Sequence, residues 1–125
     1  LIEIGVDRID HGNRSMEDAG LIQILKDTQT PLTNCPLSNL SLCVIKDLKE
    51  SPVKAQLEAG LMVTVNSDDP AYFGGYIGRN YEKTAEALGL SDAQIVTLAR
   101  NSFTASFLPE AAKAKHLAAV EAAAR

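Results

Sequence analysis

Residues 60–75, G-L-M-V-T-V-N-S-D-D-P-A-Y-F-G-G, constrain the fold more than any other stretch of the chain. Leu61 to Val65 form a short apolar run with β-branched residues, which reads as a buried strand. The run gives way to two consecutive carboxylates, Asp68 and Asp69, and Pro70 cannot continue a sheet ladder. Side chains alternate along a strand, so Thr64, Asn66 and Asp68 share a face if the extended conformation persists that far. A carboxylate at the carboxyl end of such a strand is a candidate ligand or catalytic group. Asp-Asp-Pro is also a good turn, in which an aspartate caps a helix or closes an Asx-turn. Adjacent carboxylates repel, however, and near a core both stay ionised only beside a cation or several donors.

The rest of the chain alternates around this segment. Val6 to His11 reads as a strand with Ile9 and His11 on one face, and Gly12-Asn13 turns the chain. Ser15 is placed to cap the next helix, with Asp18 in its first turn and an apolar stripe of Leu21, Ile24 and Leu25 running to about Thr28. Pro31 ends that helix. Leu32 to Cys35 is a second strand, left by a loop Cys35-Pro36-Leu37-Ser38-Asn39, and Leu40 to Leu48 fits a loop or a short helix equally.

Ser51-Pro52 reads as a helix start, with Ser as cap, Val53 and Leu57 on the buried side, and Gly60 ending it in a left-handed conformation. A helix from about Asn80 to Leu88 stops at Gly89. Ser91 and Gln94 make a capping box for a helix carrying Ile95, Leu98, Ala99 and Phe103, and Pro109 opens an Ala-rich tail helix. Strands alternating with helices over short connections predict α/β architecture with parallel strands and right-handed crossovers. Three strands are few for a closed sheet, and Leu1-Ile2-Glu3-Ile4 resembles the end of a helix cut mid-element. The expectation is a fragment of a longer protein.

Composition excludes several classes. The 125 residues suit one domain with a real core, here read as one unit over residues 1–125. Twelve basic against sixteen acidic residues, with no basic stripe, argue against nucleic acid as a partner. The apolar runs fall far short of a membrane span, so no membrane partner is expected. Cys35 and Cys43 are too few for a disulfide scaffold, and a reducing cytoplasmic setting is the expectation.

In parallel α/β folds the working mouth lies at the carboxyl ends of the strands. Three polar clusters fall there: His11-Gly12-Asn13, Cys35 to Asn39, and Asn66 to Asp69. A lone histidine at a strand end is commonly a satisfied structural group. Two aspartates on the same rim reverse that judgement, because imidazole beside an acidic metal site can orient water there. No Walker A loop or Gly-x-Gly-x-x-Gly is present, Ser38 and Ser67 lack a nucleophile elbow, and the cysteines lack zinc spacing.

Arg8-Ile9-Asp10-His11-Gly12, Cys35-Pro36-Leu37-Ser38-Asn39 and Val65-Asn66-Ser67-Asp68-Asp69-Pro70, in this order and spacing, resemble the adenosine/adenine deaminase family of zinc-dependent (β/α)8 barrels. Asn101-Ser102-Phe103 and Ser106-Phe107-Leu108-Pro109 resemble that family's last barrel helix and its exit. Ser67 before the acid pair and Ala71 to Tyr76 after it favour the adenine deaminase branch. The resemblance implies the C-terminal three β/α units of a TIM barrel plus a helical tail. It implies that Asp68 ligates Zn2+, that Asp69 hydrogen-bonds a purine ring nitrogen, and that the catalytic His11 orients the attacking water.

The implied reaction is hydrolytic deamination of a small 6-aminopurine, adenine to hypoxanthine and ammonia, with adenosine as the alternative substrate. The family's remaining zinc histidines and its catalytic glutamate have no counterpart here; His11 and His116 are the two histidines, and His116 is expected at the surface of the tail helix. Zinc sites take three or more protein ligands, so the chain alone is expected to be inactive. A non-catalytic barrel fragment is the alternative from another class.

Overall fold

The computed structural model describes residues 3–125. The expectation for Leu1 to Ile4 lies partly outside them; residues 3–5 form a turn. Three short strands, β1 (Ile9–Asp10), β2 (Leu32–Asn34) and β3 (Val63–Val65), pair in parallel in the order β1-β2-β3. Seven helices connect and follow them: α1 (Ala19–Thr28), α2 (Pro36–Ser41), α3 (Val53–Glu58), α4 (Pro70–Phe73), α5 (Ile77–Leu88), α6 (Asp92–Thr104) and α7 (Glu110–Ala123). Single 3₁₀ turns precede α1 and α3.

The register explains which residues are buried. Ile9, Leu32 and Val63 stand side by side, as do Asp10, Thr33 and Thr64. The first row meets the helices, joining Leu25 of α1, Val53 of α3 and Leu98 of α6 in one apolar core. The second row is polar, and Thr33 Oγ1 donates to Asp10 Oδ1 at 3.0 Å. One face of the sheet is therefore packed and the other carries hydrogen-bonding groups.

Helix ends written in local chemistry form as expected. Ser91 and Gln94 exchange both bonds of a capping box. Gly89 ends α5 at φ +58, and Lys54 Nζ donates to the Leu88 and Gly89 carbonyls at that terminus. Pro109 precedes α7.

Four details differ. Asp18, not Ser15, caps α1, accepting from Leu21 N at 2.7 Å, because the Ser15 hydroxyl is engaged by Gln56 Nε2 at 2.9 Å. The helix α3 starts after Pro52, and the buried Ser51 hydroxyl has no partner. Residues 36–39, expected as a loop, join residues 40–41, left open between loop and helix, in α2, with Pro36 in its first turn, where its missing N–H is harmless. His116 is half-buried, stacked on Phe103 with centroids 4.7 Å apart.

Leu98 is 0% exposed at the junction of α6 with the sheet. In the full-length protein Leu98→Ala is expected to lower stability by about 2–5 kcal/mol, whereas Leu108→Ala, at a 40% exposed site, stays within about 1 kcal/mol. Equal urea midpoints for the two variants would contradict this core assignment.

Candidate active site

The strands end where the polar residues begin. Strand β1 stops at Asp10, and His11 takes a left-handed conformation at φ +60, so strand alternation does not decide where its ring points. Asp68 does the same beyond β3, at φ +56. Histidine and aspartate enter this region more readily than most residues, yet each such conformation costs about 1–2 kcal/mol. Gly12 follows His11 at φ +68, and a Cβ there would lie 2.9 Å from Leu32 Cδ2, so a side chain at this turn meets both strain and collision.

Between these two chain ends sits the first turn of α2. Ser38 Oγ donates to Asp68 Oδ2 at 2.7 Å, and its neighbour Asn39 places Oδ1 2.9 Å from His11 Nδ1. The other ring nitrogen of His11, Nε2, lies 3.6 Å from Asp68 Oδ2. The expected meeting of His11 and Asp68 on one rim is therefore present. An open cleft of about 500 Å³ lies against them, lined also by Arg8, Asp10, Thr33, Asn66 and Ile77. Arg8 is 4.0 Å from Asp10 and stacks its guanidinium over Phe107, 4.5 Å from the ring centroid.

Asp69 is used differently from Asp68. Its Oδ1 accepts from Tyr72 N at 3.2 Å as the cap of α4, and it does not line the cleft. The turn reading of Asp-Asp-Pro thus describes Asp69, while Asp68 is the aspartate that lines the cleft. No other side chain among the described residues donates to the second oxygen of Asp69.

Among the described residues, His11, Cys35 and Asp68 offer donor atoms within 4.8 Å of one another. Imidazole nitrogen and carboxylate oxygen both suit zinc. Cys35 is less suited: burial, then the charges of Asp68 and Asp10, push its thiol up to about 11, and Sγ–H donates to Thr33 O at 3.3 Å. Two good donors are fewer than a catalytic zinc site takes from protein, so the acid–imidazole pair fits part of such a site.

Sequence reasoning quoted Asn13, Ser38 and Asn39 without giving them a task at the site, and passed over Asn34 and Gln56. Gln56 of α3 is fully buried; it donates to the Gly12 carbonyl at 2.9 Å and so ties down the turn after His11. Read as a helix start, Cys35-Pro36 would have placed Ser38 and Asn39 in a first turn at the strand mouth. Asn34 and Gln56 had no comparable local signal.

Three parallel β/α units with polar groups at the strand ends fit a segment of a barrel scaffold, and the comparisons agree. An amidohydrolase from Burkholderia ambifaria with bound Zn superposes with a TM-score of 0.84 at 21% identity, covering 95% of this chain and 34% of that one, a likeness of (β/α)8-barrel fold. The family profile described as Adenosine deaminase matches residues 1–123, and the chain belongs to that family. It is 60% identical over 117 residues to an adenine deaminase of Sphingopyxis alaskensis, covering 94% of this chain and 34% of that protein. The crystal structure of an adenine deaminase from Arthrobacter aurescens matches with a TM-score of 0.90 and 48% identity, covering 93% of this chain and 36% of that one. The chain thus spans about a third of the length of the relatives it matches.

The Cys35 environment has a pH consequence. A thiol raised above its ordinary value of 9.0 to about 11 stays neutral in the fold while the unfolded chain ionises, so its contribution to stability is complete below pH 9 and is lost between pH 9 and about 11. In metal-free protein, iodoacetamide at pH 7.5 is expected to modify exposed Cys43 and spare Cys35. Equal labelling of the two, read by peptide mass spectrometry, would overturn this.

Proposed function

We propose that the full-length protein containing this chain hydrolyses adenine to hypoxanthine and ammonia, with zinc held in part by Asp68. The observation that carries this reading is the convergence of His11 Nε2 and Asp68 Oδ2, 3.6 Å apart, at the cleft mouth. A carboxylate oxygen and an imidazole nitrogen at one cleft mouth are suited to a bound cation and the water beside it. Similarity to adenine deaminases supports the choice of substrate class.

When bound, zinc acidifies water at neutral pH, which is the chemistry that replacing a 6-amino group requires. The chain's own residues supply position. Asp68 offers a carboxylate whose orientation Ser38 holds, and His11 presents a ring nitrogen beside it to orient water. Asp69, in this reading, hydrogen-bonds a purine ring nitrogen through the oxygen that α4 does not use. Thr33 and Asn66 add hydrogen-bonding groups to the cleft wall, and Ile77 adds apolar contact for a flat base. A cytoplasmic setting belongs to the same reading, supported by two unpaired thiols. No described helix is long and apolar enough to cross a membrane.

The isolated chain, with Asp68 as its one zinc ligand in this reading, is expected to be inactive. In the full-length protein, Asp68→Ala is expected to abolish stoichiometric zinc; a full complement in elemental analysis would remove Asp68 from the ligand set. Asp69→Asn preserves the cap, because asparagine serves there as well as aspartate. It is expected to keep zinc while losing turnover by about 100-fold or more, and near-normal ammonia release from adenine would exclude Asp69 from the reaction. Comparing kcat/KM for adenine and adenosine tests the substrate itself: a preference for the nucleoside would reject the base-specific reading.

A further inference from the structure

The ring of His11 meets protein through both nitrogens, and the surrounding amides decide which one carries the proton. Their direction is set by the His11 carbonyl, which can only accept. Asn34 Nδ2 lies 3.4 Å from that carbonyl and 3.1 Å from Asn13 Oδ1, so the Asn34 amide turns its nitrogen toward both. Its oxygen then faces Asn39, whose Nδ2 donates to Asn34 Oδ1 at 3.1 Å and to Asn13 Oδ1 at 2.9 Å. Each of these two amide nitrogens thereby uses both hydrogens.

Asn39 Oδ1 is left facing His11 Nδ1 at 2.9 Å. Two acceptors do not share such a distance, so Nδ1 bears the proton. Reversing Asn39 alone would set its oxygen against two amide oxygens. Reversing all three amides would set the Asn34 oxygen against a carbonyl. Asn34 and Asn39 are 0% and 1% exposed, so water offers no replacement partners.

We propose that Asn39 is a positioning residue: its oxygen holds His11 as the Nδ1–H tautomer, so that the nitrogen facing Asp68 and the cleft is a bare acceptor. This rests on reading the cleft as a deaminase site and adds a residue outside the acid–imidazole pair. The choice of tautomer follows the general logic by which a partner on one ring nitrogen sets the chemistry of the other. Asn39 acts only through His11, by way of a network drawn from the turn after β1, the last residue of β2 and the first turn of α2.

The test uses full-length protein with its bound metal and 15N-labelled histidine, the His11 ring signals being identified by their loss in His11→Ala. Wild-type protein is expected to show a proton on Nδ1 and none on Nε2; a proton on Nε2, alone or together with one on Nδ1, overturns the proposal without recourse to any variant. Asn39→Leu, which removes the acceptor, is expected to populate the Nε2–H form and lower kcat on the order of 100-fold with KM little changed. A purely packing role predicts an unchanged ring spectrum in Asn39→Leu, and that result overturns the assignment. Wild-type protein without adenine turnover would reject the deaminase reading, while the ring spectra would still decide the tautomer.

Discussion

The approach of an imidazole nitrogen to a carboxylate oxygen across 3.6 Å is the constraint that the rest of this structure serves. Neither group belongs to a strand. Each sits just past one, on opposite sides of β2, and the parallel register sets the distance between the two strand ends. The apolar row Ile9, Leu32 and Val63 anchors that register against the helices, since a slip by one residue would turn the packed side chains outward. Core packing and site geometry are thus one problem.

The helices α2 and α3 convert proximity into orientation. Ser38 and Asn39 reach Asp68 and His11 from one helical turn, and Gln56 holds the turn after His11. Gln56 leaves its own Oε1 without a partner, a loss of about 1–3 kcal/mol that ordinary core packing would avoid. Left-handed backbone at His11 and Asp68 adds further strain. Such costs collect where side-chain direction matters more than local stability.

Much of the scaffold was legible because its signals are local. The Ser91–Gln94 capping box, the stop at Gly89 and the apolar run before Asp68 each depend on residues a few positions apart; the first two formed as read, and the run, expected as a strand from Leu61, is one over Val63–Val65. Two of the misread features depend on distant partners. Ser15 lost its capping task to a bond with Gln56, forty-one positions away. His116 found a stacking partner in Phe103 on another helix. At the site, His11 and Asp68 were legible as strand-end polar residues, but strand alternation gave no account of the left-handed geometry that turns them. The asparagine network was not legible, since Asn13, Asn34 and Asn39 acquire meaning only when β2 brings their backbones together.

The single turn that carries Ser38 and Asn39 also ties the fates of two groups together. Adding or deleting one residue between Pro36 and Ser38 would swing both side chains by about 100° around the helix axis. Acid and imidazole would lose their supports in the same stroke, with the apolar core untouched. Changes of chain length at this mouth therefore strike the site directly, whereas the side chains of Leu42 to Val44, a few residues on, face solvent.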